Sequence, residues 1–271
     1  MELTDPAKLK AQKTYDAAAD LFDARPLGFW ARYGERTVER LQLNPGATVL
    51  DVSCGTGASA LPAAAAVGPT GRVVGVDLAE NLLTLAREKA KRLGLANVDF
   101  RQADMTALGY PDGTFDAVIC VFGIFFVKEM EALTAELWRM VKPGGQLAIT
   151  TWGPGLFAPM YDQWNETVRR LRSDLATDFN PWDRITTPEA VRRLFAEAGV
   201  PDAEVTPEAG SQPLDGPDDV WTVAAGSGLR WVIEQLGSDA ELLRQTMVAW
   251  ARETKLVAID TNVIYGVATR R

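Results

Sequence analysis

The 271 residues are enough for one large domain, alone or with a cap, and 47% hydrophobic with 24% charged residues is the balance of a globular chain. A formal net charge of −8 disfavours nucleic acid and anionic membranes as partners, because an acidic surface repels phosphates. Two cysteines cannot build a disulfide framework or a cysteine-rich zinc site, and the lack of any histidine removes the commonest metal ligand and general base. The first residues, MELTDPAKLKAQ, are charged where a secretory signal is apolar. No run is long enough to cross a bilayer, so a cytoplasmic protein is expected. The basic cluster Arg87 to Arg92 has the spacing of a solvated helix face.

In chain order, residues 5–23 and 27–43 carry apolar residues at helical spacing. The turn at Asn44–Gly46 then opens an alternation of strands and helices: TVLDV, ASALPAAAAVG, RVVGVD, AENLLTLAREKAKRLG, VDFRQAD, FDAVICVF, EMEALTAELWRMV. A KPGG turn leads on to the strand QLAITTW. Strands separated by helices imply right-handed crossovers and a parallel sheet. Past Trp152 the rhythm changes to helices near 155–175, 187–199, 217–235 and 238–253. A strand is expected within 202–214 and a final one at TNVIYGVATR. Thr187, followed by Pro188 and Glu189 and ending at Gly199, has the signature of a capped helix. Trp152, Trp164, Trp182, Trp221, Trp231 and Trp250 lie in this later part. Each is a core anchor by the area it buries, and together they suggest a helical cap with an aromatic-lined pocket.

The glycine turn after the first strand, GTGASA, admits two nucleotide ligands. Gly55 and Gly57 lack the Cβ that would hold a ligand away, and Asp77 follows Gly57 by twenty residues, as in a dinucleotide fingerprint. Yet Asp51, Asp77 and Asp104 end three successive strands, where an open parallel sheet forms its ligand crevice. Three carboxylates suit a ligand with an ammonium, a sulfonium, ribose hydroxyls and an exocyclic amine better than one with a pyrophosphate. S-adenosylmethionine has those groups and no phosphate.

The blocks VLDVSCGTG, VVGVDLAENLL, VDFRQADMTALGYPDGTFDAVICVFGIFFV and LWRMVKPGGQLAIT resemble the consecutive motifs of class I S-adenosylmethionine-dependent methyltransferases. FDAVICVFG is most similar to the ubiquinone/menaquinone-biosynthesis C-methyltransferase type. The resemblance covers roughly residues 12–152. It implies a doubly wound, Rossmann-like α/β sheet of seven strands, the last antiparallel, with an α-helical substrate cap. The division expected is an N-terminal helical lid at 1–43 and a cofactor-binding core at 44–152. Cap insertions plus the last two strands of the same sheet would occupy 153–271, one domain overall.

Carried over by position, the resemblance implies that Asp51, Ser53, Gly55 and Gly57 border the methionine part of the cofactor. Asp77 would bind the ribose hydroxyls, Leu78 would pack on the adenine, and Asp104 and Met105 would meet the adenine amine and ring. Cys120 to Phe122 would lie beside the sulfonium. The family's lid Tyr-Asp pair matches Phe22-Asp23, so its tyrosine hydroxyl is missing here. FGIFFV replaces the more polar run of the quinone enzymes, which leaves room for a different acceptor.

Phe22, Phe126, Trp152 and Phe157, with Phe125 and Trp164, are expected to face that acceptor. No catalytic residue is assigned: Asp23, Tyr33, Tyr161, Asp162 and Glu166 are the candidate bases if one is needed. Cys54, Cys120 and Lys142 are read as small-residue and turn positions, and no metal is expected. The expected activity is methyl transfer from S-adenosylmethionine to a carbon or oxygen of an apolar or aromatic small molecule. The alternatives are an NAD-dependent oxidoreductase and a catalytically silent S-adenosylmethionine-binding protein. A macromolecular methyltransferase ranks below both, since no basic domain is appended. Oligomeric state is open, because cap helices could be exchanged between protomers of a homo-oligomer.

Overall fold

The computed structural model describes residues 4–271. Five parallel strands come first: β1 (Thr48–Val52), β2 (Arg72–Asp77), β3 (Val98–Gln102), β4 (Phe115–Val121) and β5 (Val141–Trp152). Two more, β6 (Glu204–Glu208) and β9 (Val263–Thr269), complete a seven-stranded sheet of order β3-β2-β1-β4-β5-β9-β6. β9 runs antiparallel to both of its neighbours, as the resemblance implied.

Period-two alternation divides the core between the faces of this sheet. Val49, Val73, Ala117, Ile119 and Ala148 face one hydrophobic cluster with α2 (Phe29–Glu39), α3 (Ala60–Val67) and α4 (Glu80–Leu93). Leu50, Val52, Val74, Val76, Val118, Cys120 and Ile149 face the other, with α5 (Met130–Arg139) and α7 (Pro188–Glu197). Both faces are covered, which is why these strands read as nearly continuous apolar runs. α7 starts as its sequence signature predicts. The Thr187 hydroxyl accepts from the Ala190 N–H at 3.2 Å, and Pro188 fills the first turn, where an N–H would be unpaired anyway.

The remaining helices are α1 (Pro6–Ala18), α6 (Met160–Leu171), α8 (Asp219–Ala225), α9 (Arg230–Leu236) and α10 (Ala240–Glu253). Three features depart from the sequence reading. The segment 202–214 is not one strand but two, and its second piece, β7 (Ser211–Pro213), pairs with β8 (Ala258–Asp260) in a separate two-stranded sheet. KPGG is not a turn before β5 but a bulge inside it. Val141 pairs with Phe115 and Gln146 with Ala117, so the four intervening residues are looped out of register. Lys142 in that bulge is tied to the Asp116 carboxylate at 2.9 Å. Finally, the helical stretch 217–235 breaks at Gly226–Gly228 into α8 and α9.

Candidate functional site: a cavity at the carboxyl ends of the strands

Strand order reverses between β1 and β4, and in an open α/β sheet that is where a crevice opens beyond the strand ends. A cavity lies there. Of the residues expected at the site, Ser53, Gly55, Asp77, Leu78, Asp104, Met105, Phe122, Phe22, Phe126, Trp152 and Phe157 line it. Ser53, Phe122 and Phe157 hold φ between 54° and 60°, a region non-glycine residues seldom occupy. Such strained backbone collects where a fold is shaped for a ligand.

Asp51, Gly57 and Cys120 do not line the cavity. Strand alternation explains Asp51: it sits within β1, opposite Gly75 and Ile119, and points under the sheet. There its Oδ2 accepts from the Ser59 hydroxyl at 2.7 Å while Oδ1 is buried without a partner. Burial, only partly offset by Ser59, pushes its carboxyl up to about 7. Gly57 is a packing glycine, since a Cβ would stand 2.9 Å from Cγ of Leu61 and 3.2 Å from the Phe100 ring. Cys120 faces the core with α5, and burial pushes its thiol up to about 12. Cys54 does line the cavity, but burial raises its thiol well above its usual range, so neither is a ready thiolate.

Asp77 is the pivot of the cavity. Its two oxygens accept from the Gly55 N–H and the Ala79 N–H, each at 2.9 Å. Burial still raises its pKa, despite these bonds, so the carboxylate gains from any further donor. The N–H of Gly57 is likewise spent, on the Cys54 carbonyl at 2.8 Å. Neither glycine amide of the turn is therefore free for a pyrophosphate. Hydroxyl donors presented to Asp77 fit it well.

Asp104, two residues past β3, carries a tie that the sequence did not reveal. Lys8 of α1 donates to its Oδ2 at 2.6 Å and to Thr106 Oγ1 at 2.6 Å. Burial works to raise the Asp104 pKa, but the Lys8 and Thr106 hydrogen bonds outweigh it and hold the group below its ordinary range. The same helix sends Gln12 Nε2 to the Leu78 carbonyl at 3.2 Å and places Tyr15 on the cavity wall. Tyr15 stands edge-on to Phe22 and Phe126, and burial raises its pKa. A tyrosine hydroxyl is therefore present in the lid, one helical segment before the position where Phe22 replaces it. Only the helical spacing of Tyr15 hinted at this.

Away from the acidic end the wall is aromatic. Trp152 stacks on Phe122 at 3.7 Å and 11°, and Trp30 stacks on Phe22 at 5.1 Å and 3°. Phe125, Trp182 and Leu229 extend the wall. Trp30 was missed because it lies in a stretch that reads as an ordinary amphipathic helix. Of the six later tryptophans, Trp152 and Trp182 line the cavity. Trp164 instead packs against Trp221 in the core, and Trp221, Trp231 and Trp250 also lie elsewhere. Among the candidate bases only Tyr161 lines the cavity, its hydroxyl donating to Asn180 Oδ1 at 2.8 Å. Tyr33 is buried on the Thr261 carbonyl, Asp23 is paired with Lys89, and Asp162 and Glu166 are exposed.

Residues 49–145 match a family described as Methyltransferase domain. The ubiquinone/menaquinone biosynthesis C-methyltransferase UbiE of Escherichia fergusonii is 34% identical over 169 residues, 60% of this chain and 66% of that protein. The demethylmenaquinone methyltransferase of Listeria welshimeri is 32% identical over 150 residues, covering 54% and 64%. The segment matching the family runs from β1 to the first part of β5. The chain spans just under two thirds of the length of these relatives.

Among solved structures, phosphoethanolamine N-methyltransferase 2 of Haemonchus contortus covers 98% of this chain at TM-score 0.60 and 20% identity, 60% of its own length being matched. The [4+2]-cyclase SpnF covers 99% at TM-score 0.60 and 19% identity, with 97% of its own length matched. These likenesses are of fold. S-adenosylmethionine is the cofactor that the sequence resemblance implies, and the donor-hungry Asp77 and the carboxylate of Asp104 are residues here that fit it. Among the described residues no helix is long and apolar enough to cross a membrane, and no cluster of metal-ligating side chains occurs.

Proposed function

We propose that the protein transfers the methyl group of S-adenosylmethionine to a carbon or oxygen of an uncharged, apolar or aromatic small molecule. The observation that carries this is the division of one cavity into an end where Asp77 and the Lys8-paired Asp104 present carboxylates and an end walled by aromatic rings. Asp77 would take the ribose hydroxyls, Asp104 and Met105 the adenine, and Ser53, Gly55 and Phe122 would border the methionine and sulfonium. The bound cofactor supplies an activated methyl. The aromatic wall formed by Phe22, Phe126, Trp152 and Phe157 would exclude water and align the acceptor, and alignment of this kind is worth about 7–11 kcal/mol of barrier. Tyr15 and Tyr161 are the tyrosine hydroxyls on the cavity wall.

The relatives named for ubiquinone and menaquinone biosynthesis are C-methyltransferases, which supports carbon as the accepting atom. The unlike run at Ile124–Phe126 argues for an acceptor other than theirs. Calorimetric titration with S-adenosylhomocysteine and, separately, with NAD tests the reading. Micromolar binding of the first, lost in Asp77→Ala, with no heat from NAD, is the expected result. Binding of NAD alone would return the glycine turn to a dinucleotide site.

A further inference from the structure

Phe22 of the lid faces Gly55 of the glycine turn: its ring atoms stand 3.6 and 3.7 Å from where a Cβ on Gly55 would be. It also stacks on Trp30 and lines the cavity. The residue after it, Asp23, is tied down by two groups from other elements. Lys89 on α4 donates to Asp23 Oδ1 at 2.6 Å and to Thr56 Oγ1 at 2.8 Å, and Thr56 Oγ1 donates to the same Asp23 oxygen at 2.8 Å. The three side chains close a triangle that joins the lid, the glycine turn between Gly55 and Gly57, and the helix after β2.

Thr56 is buried, and the Lys89 side chain is 23% exposed, so the ammonium is largely withdrawn from water. Burial lowers its pKa, with Asp23 opposing that shift and Arg92 adding to it. Asp23 is 39% exposed, so the ion pair itself is half open to water, and the buried Thr56 hydroxyl supplies the shielded side of the contact.

We propose that Lys89 is a positioning residue for the cofactor end of the cavity, clasping Asp23 and Thr56 so that Phe22 is seated on the glycine turn. The inference rests on the cofactor reading above but concerns a residue outside the cavity, with no contact to any ligand. The clasp has one consequence for the cavity: the stack of Phe22 on Trp30 is held through the ion pair of the adjoining residue, Asp23. Lys89→Arg keeps a cation with several donors and preserves the clasp. Lys89→Met keeps the stem and removes it.

The test is calorimetric titration of the full chain with S-adenosylhomocysteine for wild type, Lys89→Met and Lys89→Arg, with amide exchange of residues 19–28 in the ligand-free proteins. Losing a charged hydrogen-bond partner predicts affinity lower by about tenfold or more in Lys89→Met, with Lys89→Arg within about threefold of wild type. Exchange should quicken around Phe22 in the Met variant alone. Unchanged affinity and exchange in Lys89→Met would overturn the proposal. If that variant fails to fold, Asp23→Asn removes the charge from the other side and carries the same two readouts. A wild-type chain that does not bind S-adenosylhomocysteine sinks the cofactor reading instead. Exchange then decides the clasp alone, and equal protection in wild type and Lys89→Met overturns it.

Discussion

Gly55 and Gly57 look equivalent in the string GTGASA but do different work. At φ +86, with Leu61 Cγ 2.9 Å and the Phe100 ring 3.2 Å from where a Cβ would stand, Gly57 accepts alanine only with backbone strain and a shift of Leu61. Gly57→Ala is therefore expected to cost about 1–3 kcal/mol, read as a fall in Tm. Gly55→Ala meets only ordinary contact with Phe22, so its effect is backbone strain plus a narrower cavity, read mainly in S-adenosylhomocysteine affinity.

Asp51 supports a prediction with a definite sign. Its folded pKa is raised to about 7 from an ordinary 3.8, so the native state holds a proton that the unfolded chain has released. Between about pH 4 and 7 stability therefore falls as pH rises, and above 7 the full cost is present. Asp51→Asn removes that cost. It should raise Tm at pH 8 by about 2–4 °C for each kcal/mol regained and change nothing near pH 4, which thermal melts at the two pH values would check. Spacing made Asp51, Asp77 and Asp104 look alike in the sequence. Asp51 is followed by another residue of its strand while Asp77 is the last of its own and Asp104 lies beyond β3, and where a strand stops is the least legible feature of a pattern.

The short elements are where the sequence was least informative. β7 and β8 have three residues each, too few for any alternation to register, and their pairing joins segments more than forty residues apart. The bulge in β5 carries the KPGG composition of a turn, and only its pairing with β4 shows that the strand continues through it. By contrast α4, α7 and β1 to β4 were legible because each is long enough for its period and ends on a strong punctuator.

Element context also separates two aromatic residues that the sequence placed together. Trp152 closes β5, is 2% exposed and is stacked on Phe122, so Trp152→Ala should lose about 3–5 kcal/mol of stability, a loss of core packing. Phe126 belongs to a short 3-10 turn (Ile124–Phe126) and is half-buried. That turn is pinned from behind by Arg184, which donates to the Phe125 and Val127 carbonyls. Phe126→Ala should therefore change acceptor preference while leaving S-adenosylhomocysteine affinity within about twofold, because the residue widens the chamber without supporting the sheet. Acceptor profiling alongside calorimetry distinguishes the two effects, and equal loss of cofactor binding in both variants would place Phe126 in the core.

At the scale of the molecule, the distribution of charge around the cavity selects the acceptor. The charged residues that line it are Lys8, Asp77 and Asp104, and Lys8 and Asp104 are paired with each other. Arg184, which holds the turn carrying Phe125 and Phe126, has its donors committed to backbone carbonyls. An anionic acceptor would have to leave water for a chamber with no counter-charge, inside a chain whose net charge is already −8. Burying an unpaired carboxylate costs several kcal/mol. Once an acceptor is found, its carboxylate-bearing analogue should lose at least about a hundredfold in kcat/KM, corresponding to roughly 3 kcal/mol. The loss should shrink as pH falls through the analogue's own carboxyl pKa, because the protonated acid carries no charge to bury. A carboxylate analogue turned over as fast as the neutral parent at pH 8 would mean that the acceptor does not sit against this wall. The position of the acceptor, rather than the identity of the cofactor, would then need to be redrawn.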